Sequence, residues 1–310
     1  MTDTMITISQ NELGGPEVLE VVSAPIPQPG LGQILIHVHA AGVNPIDATN
    51  RQTGLFLGQP PFVLGWDVSG TVAAVGGGVS IHKPGDQVFG MLPFPAGSGA
   101  YAQYVLAPAR AFVPKPAHLS HPEAAALPLA GLTAWQALVE TAHIGPGSRV
   151  LINGAAGGVG HLAVQIAKSR GAYVIAVVSA GNADFVRVLG ADEVIDRADA
   201  AQVAGVRDVD VVLDTTGGDP AATFEFLRAD GTFVTLAPRA LPAAQAEAER
   251  RKIRTATLLV EADRVGMNAL AELAANKQLV PVVDATYPLQ QAGIAQATKP
   301  KSGKNVLLVA

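Results

Sequence analysis

The segment Val150–Gly160, VLINGAAGGVG, carries the sharpest chemical signal in the chain. It matches the pattern G-x-G-x-x-G as Ala155-x-Gly157-x-x-Gly160, with Gly154 and Gly158 added. The missing side chain at Gly157 lets backbone approach a pyrophosphate, and Gly160 lets a helix pack close to its strand. Amides from Ala155, Gly157, Gly158 and Val159 would then face phosphates at a helix start, assisted by the helix dipole. A plain strand–helix turn is the alternative. The apolar strand before it, the helix after it and the second strand Tyr173–Ser179 complete a βαβ unit, which favours dinucleotide binding.

An NAD-preferring site places an acid about 20 residues after the first glycine. Here the second strand ends Val177-Val178-Ser179, followed by Ala180, Gly181 and Asn182, so no acid is available. Ser179 and Asn182 can hydrogen-bond a 2′-phosphate, and Arg197 can supply charge. NADPH is therefore the expected cofactor, with Arg187 and Arg197 as ordinary surface residues the competing account.

Alternating strands and helices must position this turn. Strands are expected at Val150–Asn153, Tyr173–Ser179, Glu193–Ile195, Val209–Asp214, Thr232–Leu236 and Thr255–Val260. Helices fall near Gly158–Ser169, Asn182–Leu189, Pro220–Arg228 and Pro242–Lys252. Apolar strands between amphipathic helices imply a parallel, doubly wound sheet. The N-terminal third reads differently: Gln33–His39, Asp67–Val75 and Gln87–Gly90 are strands among proline and glycine turns, suggesting an antiparallel barrel-like domain. His121–Thr141 reads as helical pieces broken at Pro128 and Gly131, with Pro122 and Glu123 in a first turn. A last helix, Arg264–Asn276, precedes strands at Leu279–Tyr287 and Asn305–Val309 that return to the N-terminal domain.

The 310 residues are ample for two domains. No cysteine is present, which removes disulfides, thiolate metal sites and a cysteine nucleophile. A net charge of −5 gives no footprint for nucleic acid or an anionic membrane. The uncharged run Gln87–Ala109 is broken by Pro93, Pro95 and Pro108, so it is no membrane span. MTDTMITISQ has no basic n-region or apolar h-region, and a cytoplasmic protein is expected.

Taken in order, GVNPID (Gly42–Asp47), PFVLGWDVSGTVAAVGGGV (Pro61–Val79), KPGDQVFG (Lys83–Gly90), GAYAQYV (Gly99–Val105), AAALPLAGLTAWQAL (Ala124–Leu138), LGADEVID (Leu189–Asp196) and the closing SGKNVLLV resemble one family. The chain resembles the medium-chain dehydrogenase/reductase superfamily, in its zinc-independent quinone oxidoreductase (zeta-crystallin-like) branch. The resemblance implies an α/β fold: a Rossmann-type doubly wound parallel sheet plus a discontinuous, mainly β GroES-like barrel domain. It implies a catalytic domain of 1–121 and 269–310, a dinucleotide-binding domain of 122–268, and a cleft between them. A homodimer joined through the edge strand Thr255–Val260 is likewise implied.

Zinc-dependent relatives carry ligands at positions that correspond here to Asn44, Trp66 and Asp67. One potential ligand of three does not make an open tetrahedral site, so no metal is expected. His37 and His39 share a strand face and read as solvated, with the other five histidines apart. By resemblance, Asn44 lies beside the nicotinamide ribose and Thr133 near the nicotinamide. Asp214, Thr215 and Thr216 border a ribose, and Leu236 and Ala237 offer backbone groups to the carboxamide. Asp47, Arg51 and Leu55, with Asn44, are candidates for the pocket, although an i,i+4 ion pair is the simpler account of Asp47 and Arg51. Family tyrosines are replaced near Thr49 and Leu55-Phe56, which suggests a more apolar pocket.

The expected function is NADPH-dependent hydride transfer to a small apolar electrophile, a quinone or an α,β-unsaturated carbonyl. The alternatives are an enone or alkenal reductase without quinone activity, a zinc alcohol dehydrogenase, and a non-catalytic NADPH-binding redox sensor.

Overall fold

The computed structural model describes residues 3–309. The chain divides into two compact units: one holds residues up to 132, 261–277 and from 281 onward, the other 133–260 and 278–280.

The first unit is built on strands β1 (Thr4–Gln10), β2 (Glu20–Pro25), β3 (Gln33–Gly42), β4 (Phe62–Val63), β5 (Asp67–Val75), β6 (Gln87–Met91), β7 (Tyr104–Pro108) and β8 (Phe112–Pro114). β1 lies between β2 and β4, and β3 pairs antiparallel with both β5 and β7. Ile34, Leu35, Ile36, Val38, Ala40 and Ala41 are buried along β3, and His37 and His39 are its part-exposed positions. The strand outruns its predicted end at His39 because Ala40 and Ala41 continue the core.

β3 feeds helix α1 (Pro45–Thr53). Pro45 presets the first-turn backbone, the Asp47 carboxylate accepts the Asn44 amide at 2.8 Å, and Gly54 ends the helix at φ +63°. Helix α2 (His121–Ala125) starts from Ser120, whose amide donates to Glu123, as the Pro122-Glu123 signature predicts. α3 (Pro128–Trp135) runs through Gly131 rather than breaking there. The glycine makes room instead: a Cβ on it would sit 2.8 Å from Leu270 Cδ1.

The second unit alternates β9 (Arg149–Asn153), α4 (Gly160–Ser169), β10 (Tyr173–Val178), α5 (Ala183–Val188), β11 (Glu193–Asp196), α6 (Ala200–Gly205), β12 (Val209–Asp214), α7 (Pro220–Thr223), β13 (Leu227–Thr235), α8 (Leu241–Arg250) and β14 (Arg254–Thr257). All six strands are parallel, in the order β11-β10-β9-β12-β13-β14. The order reverses between β9 and β12, the switch point at which open α/β sheets bind ligands. Leu151, Ile175, Val212, Phe224 and Phe233 form the core on one face.

Three expectations are corrected in this unit. The helix predicted over Pro220–Arg228 ends at Thr223, and Leu227–Arg228 already belong to β13. Asp230 takes a left-handed backbone (φ +65°), and the β12–β13 register jumps from Val209/Leu227 to Val211/Thr232, so the strand absorbs extra residues. The edge strand ends at Thr257, leaving Leu259 half-exposed beyond it. α6 has no counterpart in the reading; Asp199 caps it by accepting from Ala201 and Gln202.

The chain then returns to the first unit through α9 (Arg264–Ala275), β15 (Val283–Pro288), α10 (Ala292–Ala297) and β16 (Lys304–Leu308). β16 pairs antiparallel with β3, Val306 opposite Gly42, and parallel with β15. The predicted return of the late strands is what the fold shows, although the first begins at Val283 rather than Leu279. Among the described residues no helix is long and apolar enough to cross a membrane.

Candidate active site

At the switch point, the amides of Gly154 and Ala155 donate to Val177 O, and that of Gly157 donates to Gly154 O. Ala155 is fully buried, so this residue shapes the turn. Gly158 and Val159 have no acceptor for their amides among the described residues, and both are part-exposed ahead of α4. These two are the groups free to meet an anion. Gly160 is required for closeness: a Cβ on it would lie 2.2 Å from Gly154 O and 2.7 Å from Ala155 Cα. At Gly157 the nearest atom to a Cβ is Gly154 O at 3.3 Å. That arrangement fits a bound pyrophosphate.

Beside the turn, β10 is followed by Ser179, whose hydroxyl accepts from Asn182 Nδ2 at 3.3 Å. Arg187 pairs with Asp184, whereas the Arg197 side chain is exposed with no protein partner among the described residues. The neighbouring strand ends are held by Asp214. Its buried carboxylate accepts from Asn153 Nδ2, Thr216 N and Oγ1, Gly217 N and Thr235 Oγ1. It is a turn former with its acceptor capacity in use. Thr215 donates its hydroxyl to Asn153 O. The Leu236 amide donates to Asp214 O and that of Ala237 to Thr235 Oγ1, which leaves only the carbonyls of 236 and 237 to offer a ligand.

In the first unit, Asn44, Asp67 and Lys304 form a buried cluster. Asn44 Nδ2 donates to Asp67 Oδ2 at 2.8 Å, and Lys304 Nζ donates to Asn44 Oδ1 at 2.5 Å and Asp67 Oδ2 at 2.9 Å. Asp67 Oδ1 accepts the Leu129 amide in the first turn of α3 at 2.6 Å, a position where a helix favours a carboxylate. The sequence reading missed Lys304. Its only trace was a charge heading the strand KNVLL, which closes on three apolar residues.

Asp47 and Arg51 do not form the expected ion pair. Asp47 Oδ2 accepts from the Asn44 amide and from Tyr101 Oη at 2.8 Å each, and Arg51 donates to Gln296 Oε1 and Gly14 O. Both residues are buried, so long-range partners outcompete the helical neighbour. Burial pushes the Asp47 carboxyl up to about 7, against the bonds from Asn44 and Tyr101 that favour its charge. Leu55, just past Gly54, is 52% exposed. Trp66 is fully buried and meets Phe94 edge-on, which in turn meets Phe56. Thr133 is buried in α3.

The histidines also differ from expectation. His37 stacks on Tyr104, and His39 lies 4.4 Å, centroid to centroid, from His121, which bonds Ser69. Burial, then the charge of His37, lowers His39; burial, then His39 and Lys115, push His121 down to about 4. Among the described residues no three His, Asp or Glu side chains are grouped to hold a metal ion. The Asn44–Asp67 pair does not fit zinc either, because an ammonium group already bridges its two oxygens.

A family model described as an alcohol dehydrogenase GroES-like domain matches residues 30–117, and one described as a zinc-binding dehydrogenase matches 189–304. A chloroplastic quinone oxidoreductase of Triphysaria versicolor is 35% identical over 302 residues, spanning 92% of this chain and 91% of its own. A mitochondrial NAD(P)H oxidoreductase of Homo sapiens is 37% identical over 229 residues, 66% of this chain and 58% of its own. The quinone oxidoreductase of Coxiella burnetii superposes with a TM-score of 0.91 at 34% identity, covering 99% of this chain and 100% of its own. The plastid and mitochondrial relatives overturn the expectation of a cytoplasmic protein; a fold carries no address, so composition had nothing to say on it. Matched almost end to end, the chain belongs to the medium-chain dehydrogenase/reductase superfamily of oxidoreductases, in its quinone oxidoreductase branch.

Proposed function

We propose that the protein is an NADPH-dependent reductase that passes hydride, without a metal, to quinones or α,β-unsaturated carbonyl compounds. The observation that carries this reading is the end of β10. Ser179, Asn182 and the unpaired Arg197 offer a hydroxyl, an amide and a guanidinium where an NAD-preferring site holds a carboxylate. Arg197 supplies charge for a 2′-phosphate. The Gly158 and Val159 amides bind the pyrophosphate, and Thr215 with the carbonyls of Leu236 and Ala237 borders the ribose and carboxamide.

The bound cofactor supplies the hydride, and solvent supplies the proton that completes reduction. In a conjugated acceptor the arriving negative charge spreads onto an oxygen. Hydrogen-bond donors therefore suffice where a simple ketone would call for a Lewis acid.

Steady-state assays of NADPH and NADH with 1,2-naphthoquinone and with an alkenal test this. NADPH should be preferred, and Arg197→Ala should lower kcat/KM for NADPH by about tenfold while leaving NADH unchanged. Equal kcat/KM values for the two cofactors would sink the NADPH assignment. Tight NADPH binding with no turnover of either electrophile would instead favour a sensor.

A further inference from the structure

Zinc is implied by one family description, yet the residues present hold a different cation. We propose that Lys304 is a built-in cation whose ammonium group, together with Asp67, locks the Asn44 amide in one orientation, making Lys304 a positioning residue for the reaction.

An asparagine side chain has two nearly isosteric orientations, told apart only by what its oxygen and nitrogen meet. Here Lys304 Nζ is 2.5 Å from Oδ1, and the Asp67 carboxylate accepts from Nδ2 at 2.8 Å. A positive group on one side and a negative one on the other permit a single orientation. One Nδ2 hydrogen is then left to offer an acceptor.

The surroundings are built for this arrangement. Lys304 and Asp67 side chains are 3% and 0% exposed. A Cβ on Gly42 would lie 2.6 Å from Asp67 Oδ2 and 2.5 Å from Ala125 O, so only glycine leaves the carboxylate its place. Leu129 N–H pins the other oxygen. Lys304 reaches the cluster because β16 pairs with β3 at Val306/Gly42.

Stability does not account for the pair, since an apolar pair of similar volume often serves a core as well or better. What a buried ion pair adds here is direction for a polar neighbour. The catalytic consequence rests on the proposed function and on the family resemblance, which implies that Asn44 neighbours the nicotinamide ribose. The fixed amide does not rest on it.

The test compares wild type, Lys304→Met, the neutral double variant Lys304→Met/Asp67→Asn, and each combined with Asn44→Ala. Lys304→Met alone should lose about 10 °C in Tm, because it strands a buried carboxylate. The double variant should recover most of that loss while kcat stays down about 10–100-fold. Adding Asn44→Ala to it should cost nothing more, as for residues acting through one another. The Asn44 side-chain amide, followed by nitrogen-15 NMR, should give one set of signals in wild type and two or an averaged set in the double variant.

A folded double variant with wild-type kcat, or a fully additive Asn44→Ala, overturns the positioning role. An unchanged single amide signal overturns the orientation itself. If wild type turns over neither electrophile, the proposed function fails, and the amide signals still decide what Lys304 does.

Discussion

Two buried carboxylates, one in each unit, solve the same problem with different partners. Asp214 gathers neutral donors, Thr216 and Gly217 from its own loop and Asn153 and Thr235 from the ends of the two neighbouring strands. Asp67 is met by the α3 amide of Leu129, by Asn44 and by a lysine 237 residues away. Local donors make a turn that folds with its sheet. Remote ones make a cluster that exists only once the whole unit is assembled.

The comparison can be broken at either end. Asp67→Ala should cost the most, about 3–5 kcal/mol by urea unfolding, because Lys304 is left buried without its counter-charge. A loss near that of a surface substitution would mean the ammonium finds water. Asp214→Ala should cost less, about 1–3 kcal/mol, since exposed Thr216 and Gly217 can turn to solvent. If it exceeds the Asp67 loss, the local donors are the more tightly committed of the two sets.

The smallest effect is a slope. Folded protein keeps the Asp47 proton up to about pH 7, whereas an unfolded chain releases it near 4. Folding therefore takes up a proton in that window. The Asp47 contribution is complete below about pH 4 and is lost as pH rises through about 7. Asp47→Asn can still accept from Tyr101 and the Asn44 amide and removes the titration. Its urea midpoint should change less between pH 5 and 8 than that of wild type; equal slopes would show that Asp47 does not govern it.

Much of the second unit was legible because each strand is a short apolar run and each helix has its own face. The parallel, doubly wound sheet followed from the strand–helix alternation around the glycine turn; the order of its strands did not. Errors fell where backbone conformation overrode composition, as at Asp230 in β13, or where a glycine served packing rather than punctuation, as at Gly131. In the first unit the helix of Asp47 and Arg51 was readable from spacing, but their partners, Tyr101 and Gln296, were not. Spacing sees four residues ahead. Lys304 lay beyond any local rule, because its partners Asn44 and Asp67 are 260 and 237 residues away.

The return of β16 to β3 has a consequence for synthesis. The second unit is almost continuous in sequence and can fold as it leaves the ribosome. Asp67 waits for Lys304 through 237 further residues, roughly ten to fifty seconds of translation at ordinary rates. During that interval the nascent first unit holds an acid without its counter-charge and the stretch of β3 that β16 will cover. It is then that a chaperone would engage this chain, and a stop codon placed before Lys304 would leave a folded second unit attached to a half-built sheet.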